Sequence, residues 1–285
     1  MDNLIICVAP CSGDIAEEKF PTKMDVVDEV NRSHEAGASV VHLHVRDESG
    51  NQTMDTSLFG RQVEGIHAAC PMVIEGSTGG TPEHTLAERC VSITVPGVEL
   101  GSLNMGSVNL FGGVYQNPMS DIRYYAQELK KNNIRPSLCI FDLSMLNNAR
   151  RLHEEGLLDD PLIYNLVFDA PDALPYSKKY LDIFLDQMPA NAVWFLTRHH
   201  APGSLGFRDA LERGGHVRVG FEDGPFISSG QKARSNAIGQ HHRYRLETGA
   251  NEWQLHVEIR SYSLEKEKFH PSGERYLTIK KPDYP

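Results

Sequence analysis

Apolar residues in this chain gather into eight short runs: "LIICVAP", "SVVHLHV", "MVIEGST", "GVELGSLNM", "SLCIFD", "LIYNLVF", "AVWFLTR" and "HVRVGFED". Each is six to nine residues of largely β-branched or bulky side chains, the pattern of a strand buried on both faces. Between them the spacing changes. In "TKMDVVDEVNRSHEAG", "TSLFGRQVEGIHAAC", "TPEHTLAERC", "MSDIRYYAQELKKNN" and "LSMLNNARRLHEEG" the apolar positions recur at three and four, which predicts helices with one buried stripe. Strands alternating with helices imply parallel strands joined by crossovers. Eight such units predict a (β/α)8 barrel, with a doubly wound open sheet as the competing arrangement, since counting strands does not show closure. The barrel is expected over residues 1–250, with 251–285 as a C-terminal extension of the same unit. "QKARSNAIGQHHRYRLETGA" reads as the last helix; "WQLHVEI" alternates like an exposed strand, and the charged tail after it is either a solvated extension or a piece that packs on a neighbouring subunit.

Composition narrows the class. With 28 Lys+Arg against 38 Asp+Glu and a net charge of -10, the chain has no general electrostatic footprint for nucleic acid or anionic membrane. Its five cysteines are scattered with no C-x-x-C pair, which argues against a disulfide framework. The first ten residues lack a basic segment and long apolar core, and no later run approaches the about 20 apolar residues of a membrane helix, so a soluble cytoplasmic protein is expected.

Side-chain alternation then selects candidate chemistry. In the second strand His42, His44 and Arg46 share parity and face one way; in a barrel that way is inward, and the C-terminal strand ends are where active sites are built. H-x-H on a strand is compatible with two structural histidines or with two metal ligands, and a metal needs a third. In "HVRVGFEDG" Arg218, Gly220 and Glu222 share parity, and closure makes the eighth strand a neighbour of the first, so Glu222 can complete a two-His, one-carboxylate site with an open position. Read alone, Glu222 and Asp223 are as well explained as a cap. Arg218 can hold a substrate carboxylate, orient Asp223, or form an internal ion pair. "EGSTGG" ends the third strand in groups that suit an anionic oxygen or a plain turn. No phosphate loop and no G-x-G-x-x-G follows a strand, which disfavours nucleotide hydrolysis and dinucleotide binding.

The set "APCSGD", "VVHLHVRD", "GSTGG", "GSLNMGSVN", "FDLSML", "GGHVRVGFED" and "RSNA", in this order, resembles the β-keto acid cleavage enzymes of the 3-keto-5-aminohexanoate cleavage enzyme type, over residues 3 to about 240. The resemblance implies a (β/α)8 barrel, usually a homotetramer, that uses a divalent metal, typically Zn2+, and converts a β-keto acid and acetyl-CoA into acetoacetate and an acyl-CoA. It implies His42, His44 and Glu222 as metal ligands, Asp223 as catalytic base and Arg218 as the residue orienting it. Ser77, Thr78 and Gly79 match the segment holding the substrate carboxylate; Asn104 lines the same pocket, and Asp14 stands where relatives carry a glutamate that reads the distal group. The proton Asp223 removes is expected to be that of the acetyl-CoA methyl. Ser137 and Cys139 replace two acids of the fifth strand, which is expected to weaken selection for a primary ammonium group in favour of a bulkier cation or a neutral chain. An aldolase or hydrolase on the same barrel, or a silent metabolite-binding barrel, are the alternatives.

Overall fold

The computed structural model describes residues 4–11, 25–80, 83–110, 112–199 and 206–224, with the backbone of Phe226–Ser228 and Gln231–Lys232. Eight parallel strands close a barrel: β1 (Ile6–Val8), β2 (Val40–Leu43), β3 (Val73–Gly76), β4 (Leu100–Asn104), β5 (Arg135–Ile140), β6 (Ile163–Phe168), β7 (Val193–Arg198) and β8 (His216–Val219). The open-sheet alternative is excluded by the seam, where β1 pairs with β8 through Cys7↔Arg218 and with β2 through Cys7↔Val40.

Helices α1 (Val26–Glu35), α2 (Ser57–Ala69), α3 (Leu86–Arg89), α4 (Met119–Lys131), α5 (Leu143–Glu154), α6 (Lys178–Gln187) and α7 (Phe207–Glu212) follow the first seven strands. Their starts are written locally. The Asp25, Asp142 and Ser177 side chains accept backbone N–H groups of the first turns of α1, α5 and α6, and Thr85 with Glu88 forms a capping box on α3. The apolar stripes of the longer helices, Phe59, Val63 and Ile66 on α2 and Ile122, Ala126 and Leu129 on α4, are buried against the outward residues of the strands such as Ile74 and Leu103. Each such side chain contributes about 1.5–3 kcal/mol by leaving water, and this layer holds the barrel closed.

The inward residues behave differently. A second apolar cluster of Cys7, Val40, Leu100 and Phe195 plugs the lower interior. Directly above it the interior turns polar, with Glu75, Ser137, Asn165 and Arg218 all buried. A small antiparallel hairpin, Val108–Leu110 with Gly113–Tyr115, follows β4 on the same end as the site described below. The helix expected from residue 231 begins otherwise: Gln231–Lys232 pairs antiparallel with Phe226–Ser228. The rest of that segment, the 251–285 extension and Asp14 lie outside the described residues.

Candidate active site

Strand β2 ends at Leu43, and His42 and His44 nonetheless project to one side as alternation predicts, His42 3% and His44 11% exposed at the side chain. Their Nε2 atoms are 3.3 Å apart. Glu222 comes to the same point by a route that alternation does not describe. β8 stops at Val219, Gly220 takes φ +151, and residues 221–223 form a turn. A strand would send Glu222 and Asp223 to opposite faces; the turn brings both carboxylates onto Arg218. The turn depends on Gly220, because a Cβ there would clash with the Ala9 backbone, whose carbonyl accepts the Glu222 N–H at 3.2 Å.

Glu222 Oε2 lies 3.3 Å from His44 Nε2, and Oε1 lies 3.6 Å from His42 Nε2. Ligands at about 2.0–2.1 Å from a tetrahedral ion are separated by roughly 3.3–3.4 Å, so these three groups stand at the edges such an ion requires. They form one potential ligand cluster, with the ligating atoms all within 4.8 Å of one another. The charges agree with the distances. Glu75, Glu222 and Asp223 all face the Arg218 guanidinium, so the cluster is rich in carboxylates beside its two imidazoles, a donor set that suits a divalent cation. The donor set therefore fits the group the family resemblance implies.

Arg218 is 6% exposed and is the hub of the site. Its Nε donates to Asp223 Oδ2 and its Nη2 to Asp223 Oδ1, both at 3.1 Å, and Nη2 also donates to Glu222 Oε1 at 2.5 Å. Burial alone would lower the Arg218 pKa, but the Asp223 and Glu222 carboxylates outweigh it and hold the guanidinium well above its ordinary value. Burial likewise pushes Glu222 up, and Arg218 with the two imidazoles overcomes this and keeps it well below the usual carboxylate range. His44 is lowered by its own burial against the opposing pull of Glu222, which favours the neutral ring a metal needs.

The residues expected to receive substrate surround this centre unevenly. The Ser77 hydroxyl accepts the Gly79 N–H at 3.0 Å, and the place where a Gly79 Cβ would stand is 3.1 Å from Ser77 Oγ and 3.9 Å from His44 Cε1, so the two side chains flank one space. Thr78 is otherwise engaged: its N–H reaches Ser102 Oγ and its hydroxyl the Ser102 carbonyl, lacing β3 to β4. Asn104, at the end of β4, hydrogen-bonds Tyr115 of the hairpin. Cys139 is buried beside Asn165, and burial raises its thiol to about 12, so it stays protonated. Two groups were not singled out from the sequence. Glu75 holds His42 Nδ1 at 2.6 Å, and His199 places Nε2 3.8 Å from Asp223 Oδ1. Both obey the same alternation, Glu75 with Ser77 and His199 with Thr197, which was the available signal.

A closed parallel barrel that gathers acids, imidazoles and a guanidinium at the C-terminal ends of the strands flanking its seam has the architecture of a barrel enzyme. The comparisons specify which kind. The beta-keto acid cleavage enzyme family model matches residues 3–240, and the chain belongs to that family. It is 33% identical over 246 residues to the 3-keto-5-aminohexanoate cleavage enzyme of Acetoanaerobium sticklandii, covering 83% of this chain and 88% of that protein. It is 31% identical over 219 residues to the 3-oxoadipate:acetyl-CoA acetyltransferase of Cupriavidus necator, covering 76% and 77%. Among solved structures the apo structure of ObcA superposes with a TM-score of 0.63 at 20% identity, over 75% of this chain and 59% of that one, a likeness of fold. Among the described residues no helix is long and apolar enough to cross a membrane.

Proposed function

We propose that this chain transfers an acyl group from a β-keto acid to CoA at the expense of acetyl-CoA, releasing acetoacetate, with a divalent ion, Zn2+ by the donor set, on His42, His44 and Glu222. The observation that carries the reading is the placing of Asp223, clamped by Arg218 through two bonds at 3.1 Å beside that three-ligand cluster. When bound, the ion would supply Lewis-acid polarisation of the substrate's keto group.

The chain's own residues account for the remaining chemistry. Asp223 is the base, and conservation of atoms corrects its expected target. Adding the acetyl-CoA methyl to the keto carbon gives an adduct that can only fall back to the starting skeletons. Asp223 instead takes a proton from the carbon between the keto and carboxylate groups of the β-keto acid, a far more acidic position. The resulting carbanion forms a bond to the acetyl carbonyl carbon and displaces the CoA thiolate. That thiolate then bonds to the original keto carbon, and the bond between this carbon and its neighbour breaks, giving the acyl-CoA and the acetoacetate carbanion. Asp223 returns the proton to the latter. Arg218 holds both Asp223 oxygens, so the carboxylate meets the substrate in one orientation. Ser77 donates to the substrate carboxylate from beside His44. Asn104 and Cys139 offer the acyl side chain neutral surfaces, and Asp14 supplies the charge for a cationic one. A homotetramer is the assembly this reading carries with it.

Purified protein incubated with β-keto acids bearing amino, trimethylammonium, carboxylate and alkyl side chains yields acetoacetate only when acetyl-CoA is present. Asp223→Asn lowers kcat by at least about 100-fold while bound metal is unchanged. Turnover without acetyl-CoA would favour an aldolase or hydrolase, and full activity in Asp223→Asn would remove it as the base.

A further inference from the structure

Glu75 is an acid in the middle of a barrel, 4% exposed, and nothing in the reaction above touches it. It stands directly beside His42 on the neighbouring strand, in the register His42↔Glu75, with Oε1 2.6 Å from His42 Nδ1. Its carboxylate lies 4.0 Å from Arg218 Nη1, with Ser137 beside it in the same buried interior.

With Nε2 facing the ligand cluster, the ring nitrogen left to carry the proton is Nδ1, which donates to Glu75 Oε1 at 2.6 Å. In the neutral ring this leaves a lone pair on Nε2, the atom that faces His44 and Glu222. The two nitrogens point to opposite edges of the imidazole, so Glu75 is out of reach of anything held at Nε2 and acts on it only through the ring.

We propose that Glu75 is the positioning residue of the metal centre, holding His42 in the tautomer and orientation that binds a divalent cation. The assignment rests on the metal reading of the cluster. It also changes the meaning of Ser137. Ser137 lies beside Glu75 in the buried interior, so the small residue at this fifth-strand position leaves room for a carboxylate on β3 rather than reporting on the substrate's distal group.

The test uses the intact chain and Zn2+ alone. Glu75→Met removes both acceptor and charge, and Glu75→Gln keeps an acceptor of the same shape. Competition against a chelator should show Zn2+ binding weakened roughly 10–100-fold in Glu75→Met and by less in Glu75→Gln. Imidazole 15N shifts of the metal-free protein should show His42 protonated on Nδ1 in the wild type and mixed between tautomers in Glu75→Met. Saturating Zn2+ should restore most of kcat in Glu75→Gln, as expected of a group that never meets substrate. Should Glu75→Met fail to fold, Glu75→Gln carries the test, and a Zn2+ affinity and His42 spectrum equal to wild type overturn the assignment. A wild-type protein with no Zn2+ affinity overturns the metal reading itself, a different result from a wild type that binds and variants that bind equally.

Discussion

Arg218→Met is the perturbation that most directly tests how this site is held together. In the native chain one guanidinium meets Asp223 twice at 3.1 Å, Glu222 at 2.5 Å and Glu75 at 4.0 Å, with Asp223 and Glu75 buried and Glu222 nearly so. Charge-assisted bonds of this kind are worth about 1.5–3 kcal/mol each, but they do not simply add, because the larger cost is that of carboxylates left unpaired in a poorly hydrated interior. Removing one partner of a buried ion pair typically costs about 3–5 kcal/mol. Against a total stability of about 5–15 kcal/mol for a domain, that is a large fraction. Urea unfolding at pH 7 in the presence of a chelator is therefore expected to show Arg218→Met destabilised by about 3–5 kcal/mol. If unpaired charge is the cause, deleting a carboxylate should help: Arg218→Met with Asp223→Asn should recover at least about 1 kcal/mol relative to Arg218→Met alone. Excess Zn2+ should narrow the gap too, since a cation on Glu222 replaces part of the lost charge. Stability of Arg218→Met within about 1 kcal/mol of wild type, or a double variant weaker than either single one, would refute the argument.

Two further predictions concern parts of the barrel away from the reacting groups. His216, at the lower end of β8, accepts the Ile5 N–H on Nδ1, and burial depresses its pKa from 6.5 to about 4. The folded state thus favours the neutral ring while the unfolded chain takes up the proton first, so this contribution is complete above about pH 6.5 and is lost as pH falls toward 4, by roughly 3 kcal/mol in all. His216→Asn, which keeps the acceptor without the titration, should flatten that part of the pH dependence in urea unfolding; identical profiles would show that His216 is not responsible. Gly220→Ala drives a Cβ into the Ala9 backbone and should cost about 3 kcal/mol or more together with the Glu222–Asp223 turn, seen as a lowered melting temperature and lost Zn2+ binding, whereas an unshifted melting temperature would contradict the close approach.

What the sequence disclosed and withheld follows from the range of the signals. Seven of the eight apolar runs contain a whole barrel strand and "SLCIFD" covers residues 137–140 of β5, because burial on both faces writes a continuous run that needs no knowledge of neighbours. Parity aimed His42 and His44 together for the same local reason. Parity also put Glu222 on the Arg218 side with the histidines, but it could not bring the adjacent Asp223 to the same guanidinium, which happens because the chain leaves the strand at Gly220. Glu75 was quoted within a glycine-rich turn motif and overlooked, since its importance lies in a cross-strand partner that only register reveals. Thr78, expected at the substrate, is engaged with Ser102 of β4, a contact equally invisible from one strand.

The seam between β1, β2 and β8 has a consequence for how this enzyme is made. His42 and His44 are translated early and Glu222 late, and they meet only after β8 has docked against β1. Such distant pairings form slowly because the loop entropy is spent before contacts reward it. A nascent or truncated chain lacking β8 therefore carries two imidazoles without their carboxylate partner, and the three-ligand cluster cannot be assembled until nearly the whole barrel exists. Assembly of the cluster is in that sense a report on folding: the same event that seals the cylinder against aggregation at its two open edges also brings these three side chains together.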